Sequence, residues 1–82
     1  MTSAGILELD VHGMTKVQLQ IAVDAKLRRA NSGVYRIRVI HGYHGGTALR
    51  DELRRLYGKH PKVRRIEQGL NPGVTELVLR EY

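Results

Sequence analysis

Apolar and polar residues alternate at the start of the chain, with Leu7, Leu9 and Val11 set against Glu8, Asp10 and His12. That two-residue period predicts a strand with one buried face. The period then lengthens: Leu19, Val23 and Leu27 recur every four residues with Ala22 and Ala30 beside them, which predicts a helix over residues 16–30. Thr15 and Gln18 form a Thr-x-x-Gln capping box ahead of it, and Asn31-Ser32-Gly33 supplies the stop. Tyr35, Ile37 and Val39 alternate against Arg36 and Arg38, predicting a second strand with Tyr35 on its core side. Leu49, Leu53, Leu56 and Tyr57 fall at i, i+4, i+7 and i+8, the stripe of a second helix with Thr47 as N-cap and Gly58 as the C′ residue. Two short runs, 63–68 and 75–81, flank the turn Asn71-Pro72-Gly73 and predict a hairpin.

The element order is therefore β-α-β-α-β-β. A right-handed crossover makes the first two strands parallel, so the expected fold is an α/β two-layer sandwich: a four-stranded mixed sheet with both helices on one face. No linker, repeat or low-complexity segment interrupts it, and residues 1–82 read as one domain. The other sheet face carries Glu8, Asp10, Arg36 and Arg38, a pattern for cross-strand ion pairs worth under about 1 kcal/mol each on a wet surface.

Composition narrows the function. At 82 residues the core is thin, which speaks against a deep, closed active site and leaves an enzyme of small phosphorylated molecules as a weak third class. The absence of cysteine excludes disulfides, thiolate metal sites and a cysteine nucleophile. No signal segment or membrane span is read, so the cytoplasm is the expected compartment and no membrane partner is expected. Fourteen Lys and Arg against eight Asp and Glu give a net charge of +6, a surface that attracts polyanions. Half of the basic residues lie within 50–65, among them Arg50, Arg54, Lys59 and Lys62. The plain alternative for this run is a solvated helix face and a polar loop.

Ligands of open sheets gather at the carboxyl ends of parallel strands. The first strand ends in Asp10-Val11-His12-Gly13, whose i, i+2 spacing puts Asp10 and His12 on one face. The second ends in His41 and runs through Gly42, Tyr43, His44, Gly45 and Gly46 into the second helix. Glycines allow backbone N–H groups to approach an anion, and a helix N-terminus adds its positive dipole end, so this loop is a candidate phosphate cradle. Asp10, His12, His41 and His44 also make an oxygen-and-nitrogen donor set, but loop histidines usually bind nothing and no resident metal is expected. There is no Gly-x-x-x-x-Gly-Lys-Ser/Thr loop, and Ser3 and Ser32 lack any triad context.

Leu9-Asp10-Val11-His12-Gly13 at the first strand end, and the His41-Gly42 loop leading to Leu49-Arg50, resemble the two signatures of the small MutS-related, or Smr, domain. Asn71-Pro72-Gly73-Val74-Thr75 is similar to that family's late turn. In one respect the chain departs: His44 stands where the family has glycine and Gly45 follows, a loop one residue longer. The resemblance implies a two-layer fold similar to the C-terminal domain of translation initiation factor three, nucleic-acid binding, and in many members endonuclease activity on DNA or RNA, including messenger RNA on stalled ribosomes.

Two readings follow. In the first, a nuclease grips a sugar-phosphate backbone: His12 and His41 do acid-base work near neutral pH, and Asp10 orients a histidine or recruits a metal ion. Residues 42–46 contact the phosphate, and Arg50, Arg54, Lys59 and Lys62 supply charge. RNA offers its own 2′-hydroxyl as nucleophile without a cofactor, whereas DNA requires water and a divalent metal ion. In the second, the same surface belongs to a non-catalytic module that binds structured nucleic acid or the ribosome. Four tyrosines and no Phe or Trp leave DNA and RNA equally open.

Overall fold

A computed structural model describes residues 5–42 and 47–80. Its elements are β1 (Ile6–Asp10), α1 (Lys16–Arg29), β2 (Arg36–Ile40), α2 (Ala48–Tyr57), β3 (Arg65–Gln68) and β4 (Val74–Val78), forming one sheet in the order β1-β2-β4-β3. β1 and β2 are parallel, with Leu7 beside Ile37 and Leu9 beside Val39, while β4 runs antiparallel to both β2 and β3. The expected β-α-β-α-β-β architecture is the observed one.

Alternation decides which face is covered. Ile37, Val39 and Leu77 point into the core with Leu7 and Leu9, meeting Leu19, Val23 and Leu27 of α1 and Leu53 and Tyr57 of α2, so both helices share one face. Ten core residues are under 7% exposed, the close packing that makes each methylene count. The opposite face holds an ion-pair ladder. Glu76, 7% exposed, accepts from Arg36 and from Arg38 Nε (3.0 Å), and Glu67 and Glu8 extend the row at 3.2 and 3.4 Å.

α1 begins as its sequence dictates: Thr15 Oγ1 accepts the Gln18 N–H at 3.1 Å and Gln18 Oε1 accepts the Thr15 N–H at 2.9 Å. α2 differs at both ends. Thr47 sits at the N-cap but its hydroxyl donates to the Asp51 carboxylate (3.0 Å) instead of accepting a backbone N–H. Gly58 is the C-cap in right-handed conformation (φ −61°), not a left-handed C′ residue. Close approach explains the glycine: a Cβ there would lie 2.7 Å from the Arg54 carbonyl oxygen.

Tyr35 precedes the β2 ladder and is only half-buried, so it is not a core residue. Its ring lies over Gly5, where a Cβ would meet it at 2.5 Å, and under the Arg36 guanidinium at 5.8 Å. The hairpin strands are shorter than expected. Val63 is buried but bonds to the His60 carbonyl in a turn, and beyond Val78 the N–H groups of Leu79 and Arg80 converge on the Tyr35 carbonyl, ending the regular pairing. Residue 81, the expected end of the last strand, is outside the described residues. No described helix is long and apolar enough to cross a membrane.

Candidate nucleic-acid interface

Three chain segments meet at the carboxyl ends of β1 and β2. The Val11 N–H continues the parallel ladder to the Ile40 carbonyl (2.8 Å), so the two strands end side by side. Because β4 is antiparallel, it begins at this same end. The Gly73 carbonyl accepts the N–H groups of both His41 (2.9 Å) and Gly42 (3.0 Å). That bond corrects one expectation: the Gly42 N–H is committed to the fold and is not a phosphate donor. Gly42 is needed for its backbone, which turns at φ +76°, a conformation L side chains rarely adopt.

Asp10 and His12 are together as alternation required. Asp10 Oδ1 lies 2.6 Å from His12 Nδ1 and also accepts the His12 backbone N–H at 3.1 Å. The pair stands in water, with side chains 55% and 73% exposed. The carboxylate hydrogen bond holds the His12 imidazole above the ordinary 6.5, and the same bond, then the His12 N–H, holds Asp10 below 3.8. Nε2 is the ring nitrogen left for a ligand.

His41 is a different kind of histidine. It is 7% exposed, and both ring nitrogens are taken: Nδ1 by the Gly42 carbonyl and Nε2 by the Thr75 hydroxyl, each at 2.8 Å. Since a carbonyl only accepts, the neutral ring carries its proton on Nδ1 and accepts from Thr75 at Nε2. His41 stands at the site's base, directly before the glycine that adjoins His12, whose Cβ is 3.8 Å from where a Gly42 Cβ would be.

Tyr43, His44, Gly45 and Gly46, expected to form a phosphate cradle, lie outside the described residues. Among the described residues no three His, Asp or Glu side chains converge as a metal site. Arg50, near this end, leans on Asp51 at 3.4 Å, and Arg54 follows one turn on, exposed and without an acidic partner among the described residues. Lys59 and Lys62 are not brought here. α2 carries the chain away from the site, and Lys62 Nζ instead donates to the Leu27 carbonyl at the end of α1 (3.0 Å). Sequence reasoning overlooked Gly73 and Thr75 as site residues. The signal was the Pro-Gly turn before a strand antiparallel to β2, which places that strand's start beside His41.

The profile described as the Smr domain matches residues 9–75, which include both strand-end motifs and the turn before β4. This chain belongs to the Smr domain family. The Smr domain of Thermus thermophilus MutS2, known from a crystal structure, is similar to it with a TM-score of 0.81 and 29% identity, over 92% of this chain and 99% of that one. No curated protein matched. The Smr family is one associated with nucleic-acid binding and with nucleases.

Proposed function

We propose that this Smr domain binds a DNA or RNA backbone at the carboxyl ends of β1 and β2 and cleaves a phosphodiester there, with His12 as the proton donor. The observation that carries the reading is the exposed Asp10–His12 pair, whose geometry keeps the imidazole protonated at Nδ1 and leaves Nε2 facing solvent. On RNA, the 2′-oxygen attacks the neighbouring phosphorus, the P–O5′ bond breaks, and the imidazolium gives its Nε2 proton to the departing 5′-oxygen while the 2′-hydroxyl proton passes to solvent. The products are a 2′,3′-cyclic phosphate and a 5′-hydroxyl. His41 enters as a positioning residue that fixes Gly42 and Thr75 beneath His12. Arg50 and Arg54 add charge along α2.

A module that binds without cutting is favoured by one observation: of two candidate acid-base histidines, His41 has no nitrogen to spare. Single-turnover cleavage of labelled single-stranded RNA, duplex DNA and branched DNA, with and without divalent ions, separates the two. His12→Ala should lower cleavage about 100-fold at saturating protein while binding is kept. Cleavage equal to wild type in that variant overturns the assignment, and wild-type protein that binds all three but cuts none establishes the binding module.

A further inference from the structure

The His12 site uses little of the chain's positive charge. On the open sheet face Arg36, Arg38 and Arg65 are matched by Glu8, Glu67 and Glu76. The excess lies at the far pole. α1 and α2 both run away from the carboxyl ends of β1 and β2, so their last turns meet the segment 59–64 at the other end of the sheet. Lys26, Arg28 and Arg29 close α1, and Lys59, Lys62 and Arg64 follow α2. The Lys62 ammonium on the Leu27 carbonyl ties the two groups together.

A groove of about 280 Å³ opens at this pole between the helices. Leu27 and Leu56 give it apolar walls, Gln20 and Asp24 a polar one, and Arg28 and His60 line it together with Lys62. Asp24 already accepts the Tyr57 hydroxyl at 2.7 Å, and the His60 ring lies 5.7 Å from the Tyr57 ring.

We propose that this groove receives one unpaired base of a single-stranded nucleic acid, with the flanking phosphates on Arg28, Lys59 and Lys62, as a second anchorage remote from the His12 site. The inference rests on the reading of the domain as a nucleic-acid binder. Size and chemistry select the occupant. The volume lies just below that of drug-sized pockets, suited to a single flat heterocycle. A base has two apolar faces for Leu56 and the His60 ring, and a polar edge for Gln20 and Asp24, while the cationic rim suits its phosphates. A duplex keeps its bases stacked inside and would meet only the rim. Fourteen residues of α1 span about 21 Å, so a strand of about six nucleotides is long enough to reach both anchorages even at the compact stacked spacing of roughly 3.4 Å per step.

Fluorescence anisotropy with labelled single strands of three, six and twelve nucleotides and a twelve-base-pair duplex tests this, with melting curves on the same samples. Wild-type affinity should rise sharply between three and six nucleotides. Arg28→Glu, at an exposed position, should weaken the twelve-nucleotide strand at least tenfold and leave the three-nucleotide one unchanged; His60→Ala should weaken single strands but not the duplex. If wild type binds the long strand and both variants match it, the second anchorage is overturned while the binding function stands. Wild type that binds no nucleic acid overturns both. Displacement of the strand by polyglutamate of equal charge as effectively as by unlabelled strand would overturn the base pocket.

Discussion

His12 holds Asp10 with one ring nitrogen and offers the other to solvent, whereas His41 spends both nitrogens inside the fold. The consequences separate in measurement. His41→Ala should destabilise the protein by about 1–3 kcal/mol, because the buried Thr75 hydroxyl loses its acceptor, while His12→Ala should stay within about 0.5 kcal/mol in the same denaturant melts. Asp10 holds the His12 imidazole above 6.5, so NMR titration of wild type should show a midpoint above that value, falling toward it in Asp10→Asn. The folded His12 is the stronger base, so the pair's contribution to stability is present below pH 6.5 and is lost as pH rises through the raised midpoint. The Asp10 side has the opposite sign: its contribution is present above 3.8 and lost as pH falls through its lowered value. Cleavage by an imidazolium donor should decline across the His12 midpoint, and at lower pH in Asp10→Asn. Strand alternation made the Asp10–His12 contact legible. It could not show the His41–Thr75 bond, because that depends on a strand pairing between residues 34 positions apart.

At the scale of elements, the ends of the two helices show which local signals are self-sufficient. The α1 capping box needs only residues 15–18, and it forms as written. Thr15→Ala should cost about 1 kcal/mol in a thermal or urea melt. At α2, the Thr47 backbone (φ −109°, ψ 10°) lies outside the extended conformation of a capping residue, and its hydroxyl reaches the Asp51 carboxylate while its oxygen meets no backbone N–H. Gly58 looked like a conformational glycine and is a steric one. Gly58→Ala should therefore destabilise the domain although its φ of −61° suits alanine, since the added methyl meets the Arg54 carbonyl. A variant as stable as wild type would show that the last turn relaxes at no cost. The strand limits were legible only roughly, because Val63 and Leu79 are apolar yet bonded outside the regular ladder.

Across the whole molecule, charge that is contiguous in sequence is divided in space. Residues 50–65 read as one basic run, but α2 distributes it from Arg50 near the His12 site to Lys59 and Lys62 at the far pole. The topology was legible, and with it this division could be deduced; the groove between the helices was not, because it depends on how α1 and α2 pack. Arg54→Ala should make the slope of log affinity against log salt shallower by about 0.9 on duplex DNA, one phosphate contact fewer. An unchanged slope would place Arg54 outside the bound surface.

The sheet order β1-β2-β4-β3 also bears on how the protein is made. β4 follows β1, β2 and β3 in the chain yet lies between β2 and β3, so during translation those three strands are all synthesised before the one that joins them into one sheet. Until Leu77 arrives, Ile37 and Ile66 have no central neighbour, and Arg36 and Arg38 lack the Glu76 carboxylate between them. Acquisition of the native core thus waits until residues 74–78 have been made. Nascent chains halted before residue 74 should remain open to added protease, and those extended past residue 78 and clear of the exit tunnel should resist it.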